Sequence, residues 1–281
     1  MAEIKAADVA ALRKATGAGM MDCKNALAES GGDIEAAKDW LRKKGLAGAA
    51  KRAGRAAEQG AVTVTVDGDV GAVVELNCET DFVAKGPDLQ QVLEALAKQV
   101  AQQGADGLAD QPFDGSTVGE TITQLGARLG ERIEIGRVVR YETSGGLLDA
   151  YKHVQNERGT IGVLVELTGV DPSDAKAQEV AHDIALHVAS AAPRFVTRDE
   201  VTQEDLDRER EVFTELTRNE GKPEAAIPKI VEGRMNGFYK DNVLLEQGFV
   251  KDPKTTVGKL VEGLGAGAAV ARFARVKVGE D

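Results

Sequence analysis

A chain of 281 residues has room for two domains of ordinary size, and 42% hydrophobic with 29% charged residues supplies both a core and a solvated surface. Its 46 acidic against 35 basic side chains leave a net charge of −11, and its aromatics are only seven Phe, three Tyr and one Trp, which excludes a chain-wide nucleic-acid footprint and rows of base-stacking platforms. Two cysteines, Cys23 and Cys78, exclude a disulfide framework and a four-cysteine metal site, and no apolar run approaches the ~18 residues of a membrane span, so a leaderless, reducing, cytoplasmic setting is expected.

Charge divides the chain unevenly. Residues 1–57 carry 11 basic against 7 acidic side chains, and residues 58–281 carry 24 against 39. A basic head on an acidic body marks a separate module with its own partner, or a helix whose Arg42, Lys43, Lys44, Lys51, Arg52 and Arg55 merely face solvent. In the head, Val9, Leu12 and Ala15 recur at helical spacing until Thr16-Gly17-Ala18-Gly19 breaks the pattern. A second helix is predicted from Asp22 through Leu27. A third is predicted from an N-cap at Asp33 to about Gly45, with Ile34, Ala37 and Leu41 as its stripe and Trp40 alongside. Met20 and Met21 are adjacent, so both cannot face one narrow core, and at least one is expected to be accessible.

From residue 61 the apolar period becomes two. Residues 61–66 and 70–78 read as a hairpin about Asp67-Gly68. Leu89, Val92, Leu93, Leu96 and Val100 stripe a helix, and Thr117-Val118-Gly119-Glu120 is a capping box opening another. Residues 133–141, 147–155 and 160–167 read as strands, and Asp171-Pro172 opens a helix stopped by Pro193. Hairpins with separate helices predict an α+β fold with antiparallel sheets, in two similar half-cores without a sequence repeat. Residues 202–240 read as an inserted helical hairpin, capped by Thr202 and turning at Gly221-Lys222-Pro223. It is either an ordinary surface pair or a protruding coiled coil. The boundaries that follow are a head at 1–55, half-cores at 56–140 and 141–201, the insertion at 202–240, and a return to the core with a last strand at 241–281.

Conventional catalytic motifs are missing. There is no phosphate-binding P-loop, Gly17-Ala18-Gly19 follows a helix rather than a strand, and His182 and His187 lie five apart, a spacing unsuited to shared metal ligation. No catalytic residue, metal ligand or cofactor is therefore predicted. One loop stands out: Glu79-Thr80-Asp81-Phe82-Val83-Ala84, between a strand and a helix. Either Thr80 caps a helical turn and Phe82 plugs the core, or a rigid hairpin presents an apolar wedge and a carboxylate to another protein.

Several blocks, in order, resemble bacterial elongation factor Ts. They are Leu12-Arg13, Thr16 through Lys24, Asn77-Cys78-Glu79-Thr80-Asp81-Phe82-Val83-Ala84-Lys85, His187-Val188-Ala189 with Pro193-Arg194-Phe195, and Gly221-Lys222-Pro223. The series continues with Ile230 through Met235 and Gln247-Gly248-Phe249-Val250-Lys251-Asp252, where Gly248 stands in place of an expected proline and leaves that turn less constrained. The resemblance implies a ubiquitin-associated-like (UBA-like) head, a two-part α+β core and an inserted coiled coil, without the further C-terminal helical module of some members. It also implies guanine-nucleotide exchange on elongation factor Tu. The head would dock through Arg13, Met20, Met21 and Lys24. Thr80, Asp81, Phe82 and Val83 would disturb the partner's Mg²⁺ site, and His187 would contact another domain of the partner. Self-association through the helical hairpin is a further expectation, with no direct nucleic-acid or membrane contact. Two other readings stand beside it: an adaptor whose bundle captures ubiquitin-like or peptide ligands, and a hydrolase using Cys78, Asp81 and a histidine.

Overall fold

Three helices come first in the computed structural model, which describes residues 4–280: α1 (Ala6–Thr16), α2 (Met20–Glu29) and α3 (Ile34–Arg52). Gly17 ends α1 in the left-handed region, φ 66°, where a side chain would be strained. The second helix starts two residues before the predicted Asp22, with Met20 and Met21 in its first turn. Asp33 caps α3 as expected, accepting from the Ala36 backbone N–H at 2.9 Å. That helix does not stop at Gly45 but runs on to Arg52. Gly45 is buried where α3 meets the helix that carries Ala127, and a Cβ there would make ordinary contact with that alanine at 3.8 Å, so the glycine sits in a helix–helix contact rather than at a terminus. Val9, Leu12, Cys23, Ala26, Leu27 and Ala37 form the head's own small core, while Ile34 is exposed.

The body begins with β1 (Gln59–Asp67) and β2 (Val70–Cys78), followed by a single helical turn, α4 (Asp81–Ala84), and by α5 (Pro87–Gln103). A miniature hairpin of β3 (Pro112–Phe113) and β4 (Ser116–Thr117) leads into α6 (Val118–Leu129) and β5 (Ile133–Glu142). Thr117 caps α6 through the Glu120 N–H, but the Glu120 carboxylate takes the Ser116 hydroxyl and Arg42 instead of closing the predicted box. Then come β6 (Leu147–Gln155), β7 (Arg158–Thr168) and α7 (Ala175–Ala191). The helix α7 starts later than predicted, because Asp171 spends its carboxylate on a turn with Ser173 and the cap falls to Asp174. The helices α8 (Gln203–Asn219) and α9 (Ile227–Asn242) form the hairpin, and β8 (Gly248–Phe249), β9 (Asp252–Thr256), α10 (Val257–Glu262) and β10 (Ala269–Lys277) complete the chain.

The fold is α+β with antiparallel sheets. One sheet has the order β1-β2-β5 and the other β6-β7-β10. Each half thus makes a hairpin, runs through several helices and a miniature two-stranded hairpin, and returns a third strand beside the second. Alternation then sorts the side chains: Ala72, Val74 and Leu76 of β2 pack under α5 and α6, while Val73 points the other way. Val163, Val165 and Leu167 of β7 pack on α7, while Leu164 meets Val62, Val73 and Val276 between the sheets. A Cβ at Gly162 would strike Val73 at 2.8 Å, so the bare backbone lets the two sheets close face to face between outer helix layers.

The hairpin α8–α9 enters and leaves side by side. Arg194 and Phe195 donate backbone N–H groups to the Asn242 carbonyl, and Phe195 bridges Val243. Leu206 and Phe213 of α8 pack on Ile227, Val231, Met235 and Phe238 of α9, whereas Val212 and Leu216 are exposed. At Gly248 a Cβ would lie 2.9 Å from the Pro253 carbonyl oxygen, so the backbone of β9 passes close to that of β8 there.

Candidate partner-binding site

The unusual loop is a short, pinned turn. Glu79 and Thr80 carry the chain from β2 into α4, and the Thr80 hydroxyl caps that turn by accepting the Val83 N–H at 3.4 Å. The capping half of the first sequence reading therefore holds, and the plugging half does not: Phe82 is 73% exposed. The inward side chains are Ala84, fully buried, and Val83, which packs against the first half-core. Lys85 spans the outer face, with its Nζ 4.6 Å from the Phe82 ring centre and 3.4 Å from Asp81 Oδ2. The four motif residues divide into a cap, an acid, an outward ring and an inward anchor.

Two carboxylates hold the loop against the α6–β5 turn. Glu131 Oε2 accepts the backbone N–H groups of Glu79 and Thr80 at 3.0 and 3.1 Å, and its Oε1 accepts the Thr80 hydroxyl at 2.6 Å. In return Glu79 Oε1 accepts the Arg132 N–H at 2.6 Å and Arg55 at 3.2 Å. The Arg132 N–H first, and then Arg55, keeps the Glu79 carboxyl below the usual carboxylate range. Arg132 also donates to the Arg55 carbonyl at 2.6 Å, tying the end of the head to the same knot. Cys78 lies beneath, buried, its thiol donating to the Thr80 carbonyl at 3.2 Å. Burial, aided by Glu131, pushes that thiol up to about 12. All three histidines lie at residue 153 or beyond, in the second half. Held buried and protonated on the Thr80 carbonyl, Cys78 does not offer the thiolate that the hydrolase reading needs.

In the head, Arg13, Met20, Met21 and Lys24 are all exposed, Met20 by 50% and Met21 by 63%. Met20, Met21 and Lys24 share one face at the start of α2, and Arg13 lies on the last turn of α1 across the Gly17 bend. His187 differs from these. It is completely buried in α7, with Nε2 2.8 Å from Gln247 Oε1 and Nδ1 accepting the Val250 N–H at 3.2 Å. The expectation of a direct docking contact at His187 is corrected: both ring nitrogens are spent on the segment around β8, and what this residue presents is the exposed Val250.

Sequence reasoning missed Glu131 and Arg132, and gave Glu79 in its loop and Arg55 in its basic stripe no part in pinning the turn. Only strand register could have found them: Cys78 pairs with Ile133, which carries residues 131 and 132 alongside Glu79.

The protein-family model described as Elongation factor TS matches residues 79–280. Over 284 aligned residues the chain is 46% identical to Elongation factor Ts of Micrococcus luteus, spanning 99% of this chain and 100% of that one. It is 49% identical over 285 residues to Elongation factor Ts of Kineococcus radiotolerans, with 99% and 100% covered. With Elongation factor Ts of Rhodospirillum rubrum the identity is 46% over 292 aligned residues, covering 100% of this chain and 94% of the relative.

Proposed function

The chain belongs to the elongation factor Ts family, and from that premise we propose that it is a guanine-nucleotide exchange factor for elongation factor Tu in translation, without bond chemistry of its own. The observation that carries the reading is Phe82, a large apolar ring held outward on a pinned turn. Aromatic anchors of this kind supply much of the binding energy when a partner buries them.

A GTPase holds its nucleotide through backbone N–H groups, a lysine and a Mg²⁺ ion bridging phosphate to protein. An exchange factor needs only to bind the nucleotide-free state better than the loaded one, and linkage then makes factor and nucleotide mutually antagonistic. In this reading Phe82 wedges between two helices of the partner, and Asp81 enters beside it near the Mg²⁺ site. The ion belongs to the partner and is not ligated by this chain alone. Thr80 and Val83 hold the wedge from behind. The head, read as a UBA-like module, docks through Arg13, Met20, Met21 and Lys24. The second half-core, through Val250 and its neighbours, grips another domain. The α8–α9 hairpin is read as a coiled-coil arm whose exposed Val212 and Leu216 offer a face for self-association. The protein would act in the cytoplasm without touching nucleic acid. An adaptor acting through the head alone leaves Phe82 unexplained.

Release of labelled GDP from elongation factor Tu tests the reading. Substoichiometric amounts of this protein should accelerate release catalytically, whereas an adaptor would leave the rate unchanged at any ratio.

A further inference from the structure

Phe82 has little to aim it. Lys85 is the one cation stacked on its ring among the described residues, and that lysine is itself partly exposed and shared with Asp81. A ring without packing neighbours takes its direction from its backbone. The turn that carries it is a single helical turn, too short to hold itself. The polar groups entering that turn converge on one side chain outside it. The Glu79 N–H, the Thr80 N–H and the Thr80 hydroxyl all donate to Glu131, which no sequence motif singles out.

We propose that Glu131 is the positioning residue of the Phe82 wedge. The inference rests on reading Phe82 as the element that acts on elongation factor Tu. Its carboxylate does two things. Oε2 takes two successive N–H groups just beyond Cys78, where β2 has run out of strand partners, and so prolongs the hydrogen bonding of that central strand with a side chain. Oε1 accepts the hydrogen bond of the Thr80 hydroxyl, which leaves the hydroxyl lone pairs free to accept the Val83 N–H and cap the turn. Charge-assisted bonds of this kind are the strong ones, and three of them meet on one group. Glu79 and Arg132 return the grip from the other side. Loss of Glu131 leaves Phe82 present and exposed but without a fixed direction, and interface anchors act through fit.

A double-mutant cycle on factor-dependent GDP release, with amide hydrogen exchange on the free protein, tests this. Glu131→Ala should slow exchange about 10-fold, from the loss of charge-assisted hydrogen bonds. In a Phe82→Ala background, itself slowed about 30-fold as a hot spot, the same change should cost less than about 2-fold, because no wedge remains to be aimed. Glu131→Gln keeps an acceptor for the two N–H groups and should fall between wild type and Glu131→Ala, and it serves if the alanine variant does not fold. In the free protein, the Glu79, Thr80 and Val83 amides should exchange faster in either Glu131 variant, with the Leu76 amide unchanged. Equal losses in both backgrounds, or unchanged protection of those three amides, would overturn the role of Glu131 while leaving the wedge intact. If Phe82→Ala itself leaves exchange unaffected, the wedge reading fails and this inference fails with it.

Discussion

Phe82 and His187 invert what their residue types suggest. An aromatic ring buries about 150–250 Å² when packed, yet this one stays in water, and the one imidazole expected at an interface is sealed inside. The pattern around Phe82 could not separate plug from wedge, because an apolar residue in a strand-to-helix loop looks the same in both. The difference lies in Val83 and Ala84, which take the inward positions first. Phe82→Ala should therefore leave the thermal transition within about 0.5 kcal/mol of wild type, as for a surface substitution, while slowing exchange. A large drop in melting temperature would place the ring in the core after all. His187 supports a pH prediction. Burial holds its imidazole below the ordinary value, partly offset by the Gln247 contact, and the Val250 N–H aimed at Nδ1 leaves no room for a second ring proton. A depressed folded value means the unfolded chain takes up the proton first. The stabilisation is fully present above about pH 6.5 and is lost as pH falls toward the lower folded value. Melting from about pH 7.5 to 5.5 should fall more steeply for wild type than for His187→Gln; parallel curves would show that the ring is not held neutral.

Secondary elements were legible where one periodicity ran long, as in α5, α9 and the β1–β2 hairpin. They blurred where small residues carried a tertiary contact. Gly45 reads locally as a helix stop, but α6 crosses α3 there, and packing outweighs the roughly 1 kcal/mol propensity cost of a mid-helix glycine. Register between distant strands was invisible, and with it Glu131, because a pairing such as Cys78 with Ile133 spans α4, α5, a miniature hairpin and α6. Glycines that serve no contact behave differently. In α9, Gly233 and Gly237 sit in helical backbone, and a Cβ at either would meet nothing within 4 Å. Gly233→Ala and Gly237→Ala should each stabilise the hairpin by about 0.5–1 kcal/mol, since alanine costs less backbone entropy in a helix. Urea denaturation and slowed amide exchange over residues 227–242 would report it. Destabilisation at either position would mean that α8 or a second copy approaches that face more closely than the free structure shows.

Across the whole molecule, the charge contrast between head and body proves partly internal. Arg42 meets Glu120 at 2.9 Å, Arg55 meets Glu79, and Arg128, anchored to Asp88 at 3.0 Å, lies over Gly17 so closely that a Cβ there would sit 2.8 Å from its guanidinium. Part of the basic stripe that suggested a separate partner thus faces the acidic core. These are partly exposed pairs, worth about 0–1 kcal/mol each and weakened by salt. Beside them a cleft of about 590 Å³ is lined by residues of α2, α3, α6 and the β3–β4 turn. The head's apolar core shares no residue with those of the two half-cores. A module with its own core, joined to the body in part by exposed ion pairs, is suited to act as a second arm. Two arms on one partner bind through effective concentration, which raises affinity about 10²–10⁴-fold over one arm without any new contact. Removing residues 1–52, a cut that keeps Arg55 with Glu79, should leave one cooperative melting transition. The truncated protein should bind nucleotide-free elongation factor Tu at least about 100-fold more weakly. Adding the severed head as a separate peptide should not restore affinity, because the gain comes from linkage. Calorimetric titration of both forms decides it: an unchanged dissociation constant would mean that the head is carried along without docking, and full recovery in trans would mean that it acts by reshaping the core rather than as an arm.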